Sequence, residues 1–141
     1  MVPPESPRPP APKPGDALPE LAIPITTSLV VGGALASRDF TPVHHDRAAA
    51  QAAGMQDVFM NILTTNGLVG RYVTEWAGPD ARIRALRVKL GAPNLPGDTM
   101  VLRGRIAAVA ADEVSVEVTG TNSWGEHVSG SVRVALPARG S

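Results

Sequence analysis

From Val58 to Gly70 the sequence carries no charged side chain, and only Arg71 and Glu75 follow before Gly78. Within "DVFMNILTTNGLVGRYVTEWAG", Phe59, Ile62, Asn66, Val69, Val73 and Trp76 recur at the steps of one helix face. The spacing predicts a helix over residues 57–77. A surface helix needs a polar side, and this one lacks charge on most of its circumference, so it should be buried, wrapped by a sheet. Gly67 and Gly70 lower its propensity, which a close approach to another element would explain.

After Pro79 the period changes to two, as a wrapping sheet requires. "ARIRALRVKL" sets Leu86, Val88 and Leu90 against Arg87 and Lys89, and "TMVLRGRIAAVA" follows. In "EVSVEVTGT" the inward residues are Val114, Val116 and Val118; in "HVSGSVRVAL" they are Val128, Val132, Val134 and Leu136. Asp112 and "NSWG" mark hairpin turns. Consecutive antiparallel strands around one buried helix define an α+β architecture.

The segment before the helix is less regular. "LAIPITTSLVVGGALAS" (Leu21 to Ser37) reads as extended, with Pro24 confining its start to a sheet edge. In "TPVHHDRAAAQAAG", Thr41 can cap a helix that begins at Pro42, Asp46 can start a second one, and Gly54 supplies a stop. Residues 1–17 are dense in proline and poor in large apolar side chains, the composition of a disordered or polyproline-like tail. Residues 18–141 then form one domain, with its folded part from Leu18 to Pro137. A core of that size gains from burial against another subunit.

Thirteen basic and 13 acidic residues balance, which argues against nucleic acid as a partner. The absence of cysteine removes disulfides and thiolate metal sites and fits a reducing compartment. No apolar run is long enough to span a bilayer, and the proline-rich start does not read as a signal peptide. No membrane association is expected, and the expected location is the cytoplasm.

"SRDFTPVHHD" sets two of the three histidines side by side, the first of them five residues after Asp39. Asp39 and His44 read either as a helix cap and a surface histidine or as an acid/base pair. A metal site is not expected: neighbouring side chains on a helix diverge, and the remaining histidine is the distant His127. Asp46 reads as a cap. Arg82, Arg84, Arg87 and Lys89 form a basic row that suits either phosphate groups or solvent. Trp124 is a turn residue or an interface anchor.

The order of elements and two motifs resemble the MaoC-like hydratases of the hotdog superfamily, in which a curved antiparallel sheet wraps a long central helix. The family pattern is Asp, then Asn-Pro, a hydrophobe, His and a trailing Asp. It is matched by Asp39, Pro42, Val43, His44 and Asp46, with Thr41 in place of the asparagine and Arg38 in place of the usual preceding glycine. "GAPNLPGDT" (Gly91 to Thr99) looks like the family's Gly-Asp-Thr loop. "FMNILTTNG" replaces the His-Gly pair usual at the start of the central helix. Over residues 18–136 the chain looks most like the small subunit of the heteromeric MaoC-like enoyl-CoA hydratase of bacterial cholesterol side-chain degradation.

The resemblance implies a single hotdog that pairs with a larger hotdog subunit, as a heterodimer or heterotetramer. That larger chain carries an OB-like domain able to engage a thiolase-like aldolase. The implied activity is syn hydration of a 2-enoyl-CoA, with Asp39 and His44 sharing one water. The product is a 3-hydroxyacyl-CoA, or a tertiary hydroxyacyl-CoA from a branched side chain. No cofactor is implied, since coenzyme A is part of the substrate. On this reading a helix end beside His44 keeps its ring neutral, and N–H groups near Asp39 favour its ionised form. Substrate contacts fall to Asn61, through its backbone N–H as oxyanion donor, and to Thr65 and Asn66. A hotdog thioesterase and a non-catalytic hotdog subunit that stabilises or recruits a partner are the rival readings.

Overall fold

The computed structural model describes residues 10–137. Residues 1–9 of the proline-rich tail and residues 138–141 lie outside that range. The sheet takes up the chain at Gly15 and Asp16, which exchange backbone hydrogen bonds with Ile106 at 2.7 and 2.8 Å.

The elements run β1 (Ala17–Pro24), α1 (Thr27–Ala36), a 3-10 turn (Pro42–His44), α2 (Arg47–Ala52) and α3 (Ile62–Ala77). Strands β2 (Arg82–Leu90), β3 (Thr99–Ala110), β4 (Glu113–Asn122) and β5 (Gly125–Ala135) follow. They form one antiparallel sheet in the order β1-β3-β4-β5-β2. This is the α+β arrangement expected from the switch in period: a single hotdog around one central helix. Val114, Val116 and Val118 of β4 and Val128, Val132 and Val134 of β5 are buried, in one cluster with Leu68, Val69, Tyr72 and Val73 of α3. Each such side chain contributes about 1.5–3 kcal/mol by leaving water. Proline sits where sheet geometry permits it. β1 is an edge strand, and its register breaks between Leu18 and Leu21, around Pro19, which has no N–H for the ladder.

A bulge in β2 resolves an awkward feature of the sequence. Ile83 pairs with buried Val134, and Leu86 pairs with buried Val132. Three steps on β2 thus span two on β5, so Ile83 and Leu86 share the inner face despite their odd spacing. Arg82, Arg84, Arg87 and Lys89 are all exposed.

Three expectations are corrected. Thr27–Ala36 is helical rather than extended. Thr26 caps it by accepting from the Leu29 N–H at 3.0 Å. Its apolar residues fall on all sides, so neither a helical stripe nor a clean alternation marked it. Second, α3 begins at Ile62, not at Asp57. The Met60 N–H donates to the Asn94 carbonyl at 3.1 Å, and the Phe59 N–H to Val43 at 3.4 Å, so the chain before Asn61 is tied to other segments. The buried face of α3 is accordingly Thr65, Leu68, Val69, Tyr72 and Val73, while Ile62 is 48% exposed. Third, a side chain at Gly67 would meet open space and one at Gly70 only ordinary contacts; the close approaches to α3 are at Gly33, which faces Thr64, and at Gly104, which faces Tyr72.

Candidate active site

The end of α1 delivers Asp39. Ser37 is the C-cap, and Arg38 turns the chain with φ of +56°. The Arg38 N–H donates to the Leu35 carbonyl at 3.1 Å and the Asp39 N–H to Ala34 at 2.9 Å. This pair of bonds is the Schellman stop, whose left-handed position favours glycine. Arg38 stands where the family pattern has its glycine, and that substitution hid the helix end from a sequence reading.

Asp39 is then fixed by donors. Its Oδ1 accepts from the Thr41 hydroxyl at 2.7 Å and the Thr41 N–H at 3.3 Å, and its Oδ2 accepts from Asn61 Nδ2 at 3.2 Å. The Thr41 hydroxyl foremost, then the Asn61 amide, hold its carboxyl below the usual carboxylate range against a smaller opposing effect of burial. Thr41, in the place of the family's asparagine, thus ties down the carboxylate instead of capping the 3-10 turn with its side chain.

His44 closes that turn, and its Nε2 lies 3.3 Å from Asp39 Oδ2. Three residues at the carbonyl end of a 3-10 turn supply no positive helix terminus, so the expected dipole effect on His44 is absent. The ring is oriented by Phe59 instead. Nδ1 is 2.6 Å from the Phe59 carbonyl oxygen, and the Phe59 ring stands edge-on at 4.9 Å. Nδ1 is therefore the donor of that bond, and Nε2 is the ring nitrogen turned toward Asp39. The carboxylate side chain keeps 25% of its exposure and the imidazole 10%, so the pair opens to a surface without being fully solvated.

Asn61 is 2% exposed and caps α3, its Oδ1 accepting from the Thr64 N–H at 3.1 Å. The amide has no freedom left, because Nδ2 also donates to Ser37 Oγ at 2.9 Å. Thr65 is fully buried; its hydroxyl meets His127 Nε2 at 2.9 Å and faces the core rather than an open surface. Asn66 is part-buried, and its Oδ1 has no partner among the described residues. His127 was read from the sequence only as a distant histidine. It is 2% exposed, its Nδ1 bonds the Ala92 carbonyl at 2.6 Å, and burial pushes its imidazole below the usual value.

The Gly-Asp-Thr loop is a brace. Asp98 accepts from Ser123 Oγ at 2.6 Å and from the N–H groups of Ser123 and Thr99, tying the start of β3 to the β4–β5 turn. Near it, a cavity of about 430 Å³ is lined by Arg47, Asp57, Asp98 and Trp124 among others, but neither Asp39 nor His44 reaches it. Among the described residues no cluster of side chains is arranged to hold a metal ion, and no helix is long and apolar enough to cross a membrane.

A hotdog sheet around a central helix, with an Asp–His pair beside that helix's start, defines a class, and the family comparison agrees. Residues 11–128 match the MaoC like domain, and the chain belongs to that family. Among its relatives is the 3-oxo-4,17-pregnadiene-20-carboxyl-CoA hydratase beta subunit of Mycobacterium tuberculosis, 45% identical over 86% of this chain and 95% of that protein. A chain of the ChsH1–ChsH2 complex from the same organism superposes with a TM-score of 0.87, at 44% identity over 89% of this chain and 98% of that one. The (R)-hydratase from A. caviae shares the fold with a TM-score of 0.81, at 19% identity over 89% of this chain and 97% of that one.

Proposed function

We propose that this chain is the catalytic small subunit of a heteromeric 2-enoyl-CoA hydratase that acts on a steroid side-chain acyl-CoA. The observation that carries the reading is the Asp39–His44 pair, with Nε2 3.3 Å from Oδ2 and both groups oriented by other donors and acceptors. Its identity to a hydratase subunit over most of both chains supports the activity and the steroid substrate.

Hydration requires a base for water, an acid for the α-carbon and a donor for the enolate oxygen. A water bound between Oδ2 and Nε2 loses its proton as its oxygen attacks the β-carbon. The pair then returns a proton to the α-carbon on the same face. Asp39, held ionised by Thr41 and Asn61, stabilises positive charge that develops on the imidazole. The enolate oxygen falls to the start of α3. There the Thr64 N–H is taken by the cap, while the first N–H groups have no partner within the helix. The Asn61 backbone N–H, with that of Ile62 beside it, is the proposed donor. Asn66, whose buried amide oxygen is unpaired, would turn that group outward to meet the thioester region or the partner, whereas Thr65 contributes from inside by packing beneath this helix end.

In this reading the partner is a larger hotdog subunit, with an OB-like domain through which a thiolase-like aldolase engages. Substrate coenzyme A is the only cofactor-like group. The test is the co-purified complex incubated with a steroid side-chain enoyl-CoA, and separately with the saturated acyl-CoA, in the presence of a thiol-trapping reagent. Loss of the conjugated thioester absorbance without thiol release is expected. Thiol release from a saturated acyl-CoA instead would establish the thioesterase reading.

A further inference from the structure

Resting on the hydratase reading, we propose that the side chain of Asn61 is a positioning residue for the Asp39 carboxylate, locking the catalytic pair to the first turn of the central helix. Four bonds converge on this amide. Oδ1 accepts from the Thr64 N–H and hydroxyl, and Nδ2 donates to Ser37 Oγ and Asp39 Oδ2. Its neighbours leave one orientation. Ser37 Oγ donates to the Gly33 carbonyl at 2.7 Å and so can only accept from Asn61. The Thr64 N–H needs an acceptor, and a flipped amide would set Oδ1 against a carboxylate.

Asn61 therefore joins three things that the sequence separates: the end of α1, the reactive carboxylate and the start of α3. The flush contact of Gly33 with Thr64 holds the same junction from the other side. An oxyanion donor at the start of α3 and the base at Asp39 are then registered to each other through one side chain. Serine or aspartate caps a helix as well as asparagine does, but aspartate has no donor, and serine's shorter side chain has one O–H where the Asn61 amide donates to both Ser37 and Asp39. This difference separates positioning from capping.

The experiment uses the full heteromeric complex carrying Asn61→Ser, Asn61→Asp, Asn61→Ala or, as a control, Asp39→Asn. Enoyl-CoA hydration is followed as kcat, KM and pH profile, alongside the Tm of each complex. For Asn61→Ser the expected result is a kcat about tenfold to a hundredfold lower, with KM nearly unchanged and Tm retained. Asn61→Ala should lose kcat to a similar degree and Tm as well. Asn61→Asp places a second carboxylate beside Asp39, so the acid limb of kcat should move up by about one pH unit or more. An Asn61→Ser complex with wild-type kcat and pH profile would overturn the inference and leave Asn61 as a cap alone. Full activity in Asp39→Asn would instead overturn the site assignment itself, and this inference with it.

Discussion

Arg38 holds a left-handed backbone, φ +56°, because the Schellman stop of α1 requires it and Asp39 depends on that stop. The conformation costs a non-glycine residue about 1–2 kcal/mol, part of which glycine's extra chain entropy would offset. Arg38→Gly should therefore stabilise the protein by about 0.5–1 kcal/mol, read as a higher urea midpoint with an unchanged slope. His127 gives a second prediction at this scale. Burial lowers its folded-state pKa below the usual 6.5, so the unfolded chain binds the extra proton first. Stability from the neutral ring is complete above pH 6.5 and declines as pH falls from there toward the folded value. Denaturation at a series of pH values should show that decline in the wild type and a smaller one in His127→Gln. The Asp39–His44 pair was legible because it lies within one short stretch, whereas its supports Asn61 and Phe59 were not. They lie 22 and 15 residues from the groups they hold, and only the fold brings them there.

Among the elements, α1 and α3 meet where Gly33 faces Thr64. A Cβ at Gly33 would overlap the Thr64 hydroxyl and lie 2.7 Å from its methyl carbon. Thr64 cannot swing freely, because its hydroxyl is bonded to Asn61. Gly33→Ala should thus push the helix ends apart, cost about 1–3 kcal/mol and lower kcat by displacing Asp39. A variant as stable and as fast as wild type would show that the contact is slack. Strands β4 and β5 were the most legible because alternation is a local signal and their buried valines follow it. The helix α1 was not, since an all-round apolar segment with β-branched residues has no period to read. Its N-cap Thr26 is ordinary for a helix start, and Arg38 in the left-handed position after the C-cap is atypical for a helix end. The start of α3 was placed too early because the apolar stretch continues through Val58–Met60, whose backbone groups serve other contacts.

For the molecule as a whole, several large apolar side chains lie exposed close to the pair in sequence. Leu35, Phe40, Ile62 and Leu63 are between 48% and 62% exposed, and each adjoins the junction of α1, Asp39 and α3 in sequence. Exposed apolar groups of this size suit a partner surface or a bulky acyl group. The edges of β1 and β2 are unpaired within the described chain. Expressed alone, the chain should self-associate or precipitate; expressed with the larger subunit, it should give a stable heteromer. Sedimentation velocity distinguishes these, and a monodisperse, stable monomer would contradict the account.

The central claim is that the chemistry resides in this chain's Asp39–His44 pair and not in its partner. The measurement that tests it most directly is the hydration rate of a steroid side-chain enoyl-CoA by the co-purified complex, wild type against Asp39→Asn. The account predicts a fall of about two orders of magnitude or more in the variant, with assembly retained. Equal rates in the two complexes would contradict it and place the reacting groups in the larger subunit.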